Sequence, residues 1–326
     1  MTAVRIVILD SFAADQGDPT YTWEGLRALG ELTVHARSHE DQLIERARGA
    51  TALLTNKVEL RGELFEMLPE IRYVGVLATG TNIVDVEGAR AHGVAVTNVP
   101  GYATDAVAQL VFALLLRITH DVAAHSAAVK AGRWASSPDF CFFVQPLIEL
   151  AGKTMAVVGT GSIGGAVARI AEAFGMHVLL AAVPGAPARP GVARVRLPDA
   201  LAEADVVSLH CPLTPLTRGM VDATFLRAMK PKAILINTGR GPLINEGDLR
   251  AALGAGRLGG VGLDVLGTEP PPADHPLLDP RAPWASRVVV TPHIGWGTIE
   301  ARRRLEQAVT RNLQAFIAGE RLNRVD

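Results

Sequence analysis

The chain of 326 residues has little cysteine, few aromatics and no excess of charge. Its two cysteines, Cys141 and Cys211, exclude a disulfide framework and suit a reducing compartment. Neither stands at metal-ligand spacing from a second Cys or a His, because His210 and Cys211 are adjacent, so no metal site is expected. Lys and Arg (32) balance Asp and Glu (33). The formal net charge of −1 removes the electrostatic case for nucleic acid or an anionic membrane. The run Arg302-Arg303-Arg304 reads as the solvated face of a helix. Long apolar runs are missing too. The longest, 107–116, is interrupted by Gln109 and is too short to span a bilayer. VRIVILD near the start reads as a first strand rather than a signal peptide. A cytoplasmic protein is expected.

What is present is alternation. Strand-like runs RIVIL, LTVHA, TALLT, YVGVLA and VAVTN occupy the first part of the chain. TMAVVG, HVLLA, VVSLH, AILINT, GVGLDV and VVVTP occupy the rest. Helical patterns such as EDQLIERARG lie between them. This order implies an α/β protein with parallel sheets and crossover helices. The length points to two domains, and the alternation makes each expected to be Rossmann-like and doubly wound. A last helix from about Thr298 to Ala318 carries Leu305, Val309, Leu313 and Phe316 on one face and stops at Gly319. That face is expected to return to the first domain, which makes it discontinuous. The expected units are 1–98 plus 297–326, flavodoxin-like, and 99–296.

VVGTGSIGGAVARIAEAFG reads as a strand, a glycine turn and a helix, with Gly159, Gly161 and Gly164 as G-x-G-x-x-G. In a βαβ unit these glycines allow a tight turn, close approach of a pyrophosphate and close helix–strand packing, with Ser162 and Ile163 opening the helix. Such a site usually has an acid at the end of the next strand for the adenosine ribose. Here that strand ends in Ala181, Ala182 and Val183. An acid at Ala182 would repel a 2′-phosphate, and Arg189 and Arg194 follow in the loop. NAD(P)H is expected, with NADP(H) favoured over NAD(H).

Three further stretches place polar residues at the ends of strands, where open α/β sheets bind ligands. They are ILINTGRG with Arg240, GLDVLGTEPPP with Asp264 and Glu269, and VVVTPHIGW with His293. Arg offers a fixed fork to an anionic substrate, and His moves a proton near neutral pH. A carboxylate beside the His sets its tautomer and stabilises the imidazolium. His35, His39, His92, His120, His125, His177, His210 and His275 carry no supporting pattern and are assigned no chemistry.

GTGSIG, HCPLTPLTRG, LINTGRGPLINE, GLDVLGTEPPPADHPLL and TPHIGW, in this order and spacing, closely resemble the D-isomer-specific 2-hydroxyacid dehydrogenases. TNKVEL, GVLATGTNIVD, VTNVPGYATDAVAQLVFALLL and AGRWASSPDFCF resemble the glycerate dehydrogenase and hydroxypyruvate or glyoxylate reductase branch. The resemblance implies that Arg240 holds the substrate carboxylate and carbonyl. His293 would be the acid/base and Glu269 its partner. Backbone donors from Leu77, Ala78, Thr79 and Gly80 would bind the carboxylate, with Asn56 as a polar wall. Thr104, Gln109, Cys211, Pro212, Thr217, Asn237, Thr238, Asp264 and Gly295 would touch the cofactor, Asp264 near the nicotinamide amide.

The segment from about 119 to 150 resembles the family's dimerisation arm, with apolar Trp134, Phe140, Phe142 and Phe143, so a homodimer is expected. Two features depart from the family: Ala182 with Val183 at the end of the strand, and Thr81 where many relatives have an aromatic. The resemblance also leaves room for a dehydrogenase of a sugar-derived 2-oxo acid or phosphite. From another class, it leaves room for a nucleotide-sensing corepressor. The formate branch carries Gln where Glu269 stands.

Overall fold

The structure is a computed structural model and describes residues 4–18, 20–187, 191 and 193–326. Its contacts divide the chain into two units, 1–103 with 296–326, and 104–295. The first boundary therefore lies beyond the expected 98/99. Residues just after the last strand of the first unit stay with it because Val99 N donates to Ala78 O at 3.0 Å and Thr79 Oγ1 donates to Val99 O at 2.8 Å.

The first unit runs β1 (Val4–Ile8), α1 (Phe12–Asp15), α2 (Glu24–Arg27), β2 (Gly30–Val34), α3 (Leu43–Ala47), β3 (Ala52–Thr55), α4 (Gly62–Met67), β4 (Tyr73–Val76), α5 (Val86–Ala91) and β5 (Ala95–Thr97). Its five strands form a parallel sheet in the order β2-β1-β3-β4-β5, the flavodoxin-like order. β3 and β4 are buried at every position, as strands covered on both faces must be.

The second unit runs α6 (Thr104–His120), α7 (Val122–Lys130), β6 (Thr154–Val158), α8 (Ser162–Ala173), β7 (His177–Ala181), α9 (Leu197–Glu203), β8 (Val206–Leu209), α10 (Ala223–Ala228), β9 (Ile234–Asn237), α11 (Glu246–Gly254), β10 (Gly260–Leu263) and β11 (Val288–Val290). The chain then returns to the first unit in α12 (Ile299–Ile317). The second sheet, also parallel, has the order β11-β10-β9-β8-β6-β7. Beyond β7, among the described residues, a parallel bridge joins Ala181 to Val195. With that bridge counted, the order reverses between β6 and β8 as in a Rossmann sheet, and ligands bind at the C-terminal ends beside such a reversal.

Helix α12 is capped by Thr298, whose hydroxyl accepts from Ala301 N at 3.2 Å, and Gly319 follows it with φ +77°. Leu305, Val309 and Leu313 are buried in the first unit, each contributing about 1.5–3 kcal/mol by leaving water. Phe316 meets Tyr73 of β4 with ring centroids 5.1 Å apart, and Asn312 Nδ2 donates to Asn98 O at 2.8 Å. The helix thus closes the sheet face that the first hundred residues leave open. No single helix among the described residues is long and apolar enough to cross a membrane.

Candidate active site

Each glycine of the turn after β6 answers a separate steric demand. At Gly159, φ is +105° and a Cβ would stand 2.6 Å from Cys211 N and His210 C, so the turn presses on the end of β8. At Gly164 a Cβ would stand 1.9 Å from Gly159 O, so only hydrogen lets α8 pack on the strand. At Gly161 nothing lies within 4 Å of that position, and Gly161 caps α8 with no side-chain hydrogen bond. A helix leaves its first N–H groups without intrahelical partners, so the start of α8, with Ser162 and Ile163, presents an open, electropositive cradle.

The strand that follows ends small. Ala182 N donates to Val195 O at 2.8 Å, which brings the neighbouring Arg194 alongside the glycine turn. Arg194 Nη2 donates to Thr160 Oγ1 at 3.1 Å and Nη1 to Pro187 O at 3.0 Å, while Nε is buried with no hydrogen-bond partner among the described residues. Arg189 lies outside the described residues. At the end of β9, Thr238 Oγ1 is likewise buried and unpartnered. An open glycine face, an uncapped helix, a small residue in place of the ribose acid and two orphaned polar atoms are what a dinucleotide would satisfy.

Several of the other expected cofactor residues also hold the scaffold. Thr217 is fully buried; its hydroxyl donates to Pro212 O at 2.7 Å and accepts from Thr214 N at 2.8 Å, which shapes the loop after β8. Cys211 is buried, and burial pushes its thiol up to about 11, so it stays protonated at neutral pH. Buried Asn237 donates from Nδ2 to Arg240 O at 2.9 Å and accepts at Oδ1 from Gly239 N at 3.0 Å, which sets the turn that carries Arg240. Thr104 opens α6, and Gln109 is exposed five residues on, roughly 140° away around the helix.

Arg240, Glu269 and His293 follow β9, β10 and β11, three neighbouring strands of one sheet edge. Arg240 is exposed, and its Nη1 donates to Gly239 O at 2.8 Å. His293 Nδ1 is 2.6 Å from Glu269 Oε2, while Glu269 Oε1 accepts from Leu266 N at 3.0 Å. The carboxylate therefore faces the ring as acceptor, which assigns the neutral-state proton to Nδ1. His293 has φ +53°, an uncommon conformation for a non-glycine residue. Asp264 enforces it. Its carbonyl accepts from His293 N at 2.8 Å. Its buried carboxylate accepts from Thr291 Oγ1 at 2.6 Å, Ile294 N at 2.9 Å and Gly295 N at 2.8 Å. The residue expected beside a nicotinamide amide is thus also the clamp of the His293 loop.

In the first unit, Asn56 is buried, and its Nδ2 donates to Leu77 O at 2.8 Å, tying the ends of β3 and β4 together. Leu77 cannot offer its amide to a substrate, since Leu77 N already donates to Thr55 O at 2.8 Å. The donors expected of this loop reduce to Ala78, Thr79 and Gly80. Asn98 Nδ2 holds Thr79 O at 2.7 Å.

Residues 112–295 match the D-isomer specific 2-hydroxyacid dehydrogenase NAD binding domain. The chain belongs to that family. It is 43% identical to a hydroxypyruvate reductase of Blautia hydrogenotrophica over 99% of this chain and 100% of the relative. It is 38% identical to a glycerate dehydrogenase of Methylorubrum extorquens over 88% of each. The solved TT0316 protein of Thermus thermophilus superposes with a TM-score of 0.84 at 36% identity, covering 99% of this chain and 100% of that one. The chain is a nicotinamide-dependent 2-hydroxyacid dehydrogenase, an oxidoreductase.

Sequence reasoning missed Glu246 and His275, which form a second Glu–His pair next to the Glu269 loop with Oε2 and Nε2 3.1 Å apart. The only hints were a Glu after LIN and a His after PAD, neither of which has meaning without the fold.

Proposed function

We propose that this dehydrogenase reduces hydroxypyruvate or glyoxylate, with His293 as proton donor, Glu269 as its partner and Arg240 as the anchor of the 2-oxo acid. The observation that carries the reading is the 2.6 Å contact between His293 Nδ1 and Glu269 Oε2, on the sheet edge that also bears the glycine turn. The bound nicotinamide supplies a hydride to the substrate carbonyl carbon. Arg240 forks onto carboxylate and carbonyl oxygen, and so stabilises the negative charge that develops on that oxygen. His293 delivers a proton to it from Nε2, and Glu269 stabilises the imidazolium that does so. In the reverse direction the same imidazole takes the alcohol proton. Among the expected cofactor residues, Thr104, Gln109, Ser162, Ile163, Ala182, Cys211, Pro212, Thr238 and Gly295 line the dinucleotide or its approach, while Thr217, Asn237 and Asp264 act mainly through the loops they hold.

NADP(H) is the preferred form in this reading, because Ala182 carries no charge against a 2′-phosphate and Arg194 lies beside the glycine turn. The working form is a homodimer through the 119–150 arm, where Trp134, Phe140 and Phe143 are 53%, 89% and 62% exposed. The free thiols of Cys141 and Cys211 suit the cytoplasm. The test is the initial rate of hydroxypyruvate and glyoxylate reduction with NADPH and NADH, followed by nicotinamide absorbance. Rapid turnover with NADPH ahead supports both parts. Turnover led by NADH keeps the substrate and removes the cofactor preference. No turnover removes the substrate assignment.

A further inference from the structure

We propose that Glu246, held by His275, is a positioning residue for the carboxylate of Glu269. The inference rests on the reading of Glu269 and His293 as the acid/base pair. The peptide between Leu266 and Gly267 lies where three segments meet. On one side is Gly241, next to Arg240; a Cβ there would stand 1.8 Å from Leu266 O and 2.6 Å from Gly267 N, so the Arg240 turn and this peptide are in direct backbone contact. From the same peptide unit and its neighbour come two amides aimed at two different carboxylates. Leu266 N donates to Glu269 Oε1 at 3.0 Å, and Gly267 N donates to Glu246 Oε1 at 2.7 Å.

Glu246 is itself fixed. It is the first residue of α11, whose cap Asn245 accepts from Gly247 N and Asp248 N. Its second oxygen, Oε2, is 3.1 Å from Nε2 of His275. His275 is 7% exposed, and its Nδ1 accepts from Leu277 N at 3.3 Å. With Nδ1 accepting, the neutral ring carries its proton on Nε2, which donates to Glu246. Both oxygens of Glu246 thus receive a donor, and the carboxylate clamps the 266–267 backbone onto α11. The Leu266 amide, and through it Glu269 Oε1, is set by that clamp. Two Glu–His pairs therefore stand in series: His275 on Glu246, the 266–267 peptide between, and Glu269 on His293. Glu246 touches no reacting atom; its effect is on where Glu269 points its other oxygen.

Glu246→Gln separates this role from mere support of the fold. Gln keeps the size and one accepting oxygen, but its amide group must face either Gly267 N–H or the His275 Nε2–H, both donors. With hydroxypyruvate as substrate and rates normalised to NADPH binding sites, kcat is expected to fall about 10-fold, the lower end of what removing a group that orients a metal ligand costs. KM for hydroxypyruvate and Kd for NADPH are expected to stay within about twofold. Glu246→Ala is expected to lose more kcat with the same split. A native kcat for Glu246→Gln would overturn the proposal. So would a loss in which KM and Kd rise in parallel with the fall in kcat, since that marks general loosening. His293→Ala, measured alongside, keeps the two readings apart. If it is inactive while Glu246→Gln is native, only the positioning role fails. If it turns over normally, the acid/base assignment fails first.

Discussion

Asp264 carries His293. Its carbonyl accepts the His293 N–H at 2.8 Å, and its carboxylate gathers Thr291, Ile294 and Gly295 around the ring's own loop. Every residue from 291 to 295 except Pro292 is bound to this one side chain or its backbone. The left-handed backbone of His293, at φ +53°, costs of order 1–2 kcal/mol and persists because these contacts over-determine it. Asp264→Asn replaces an acceptor oxygen with an NH2 group that must face a donor. Stability is expected to fall by about 1–3 kcal/mol and kcat by at least tenfold. Chemical denaturation together with steady-state kinetics checks both, and a variant with native kcat would show that the loop holds itself.

His293→Ala removes the proton donor and leaves the dinucleotide fold intact. General acid help is worth about 10²–10⁴ in rate, so kcat should fall by at least the lower figure while NADPH still binds, as followed by nicotinamide fluorescence. Glu269→Gln should fall less, by about 10–100-fold, because Gln still accepts from Nδ1 but cannot stabilise the imidazolium. Near-native turnover in His293→Ala would falsify the acid/base role.

The strands, the glycine turn and the order Arg240, Glu269, His293 could be read from the chain because each is a local pattern. Buried parallel strands such as TMAVV and VVSL are apolar at nearly every position, and Gly159, Gly161 and Gly164 have fixed spacing. The holding contacts were not legible. Asp264 reads as a cofactor residue until its oxygens are found on Thr291, Ile294 and Gly295. Glu246 reads as an acidic first-turn residue until α11 brings it under Gly267. Thr217 and Asn237 are cofactor residues by the family resemblance, and only the structure shows that their side chains also bond their own loops. Such roles depend on which loops become neighbours across the sheet edge, and no spacing along the chain encodes that.

Arg194 decides the cofactor in this reading. Its Nη2 already rests on Thr160 Oγ1 and its Nε has no partner, so a 2′-phosphate finds a guanidinium that is partly ordered. A hydrogen bond to a charged group contributes about 1.5–3 kcal/mol. Arg194→Ala is therefore expected to raise KM for NADPH about 10–100-fold and leave KM for NADH nearly unchanged. Equal changes for both cofactors would mean that Arg194 only braces the glycine turn. Ala182→Asp should favour NADH, by repelling the phosphate and accepting from the ribose hydroxyls.

The arm gives a prediction that needs no substrate. Phe140 is 89% exposed while its carbonyl accepts from Trp134 Nε1 at 2.9 Å, so the backbone is ordered and the ring is left in water. If a second copy covers this face, Phe140→Asp places a charge in an apolar contact. Sedimentation velocity should then show wild-type dimer and variant monomer at micromolar concentration. A monomeric wild type removes the homodimer.

His210, partly buried, is expected to make the second unit sensitive to acid. It follows β8 against the Gly159 turn, and Ser208 Oγ lies 2.8 Å from its Nε2. Burial pushes its pKa down from 6.5 to about 4. Below 6.5 the unfolded chain takes up a proton that the folded one refuses until about 4, so the unfolded state binds more protons in that window. The stability that neutral His210 allows is thus fully present above pH 6.5 and is lost as pH falls towards 4. Between pH 7 and pH 5 the loss from this residue is about 2 kcal/mol. His210→Gln keeps a polar partner for Ser208 but cannot take up the proton. Urea unfolding at the two pH values should show the wild type losing more stability than the variant by about that amount. If the two lose stability equally, the acid sensitivity lies in the carboxylates and His210 is protonated without penalty.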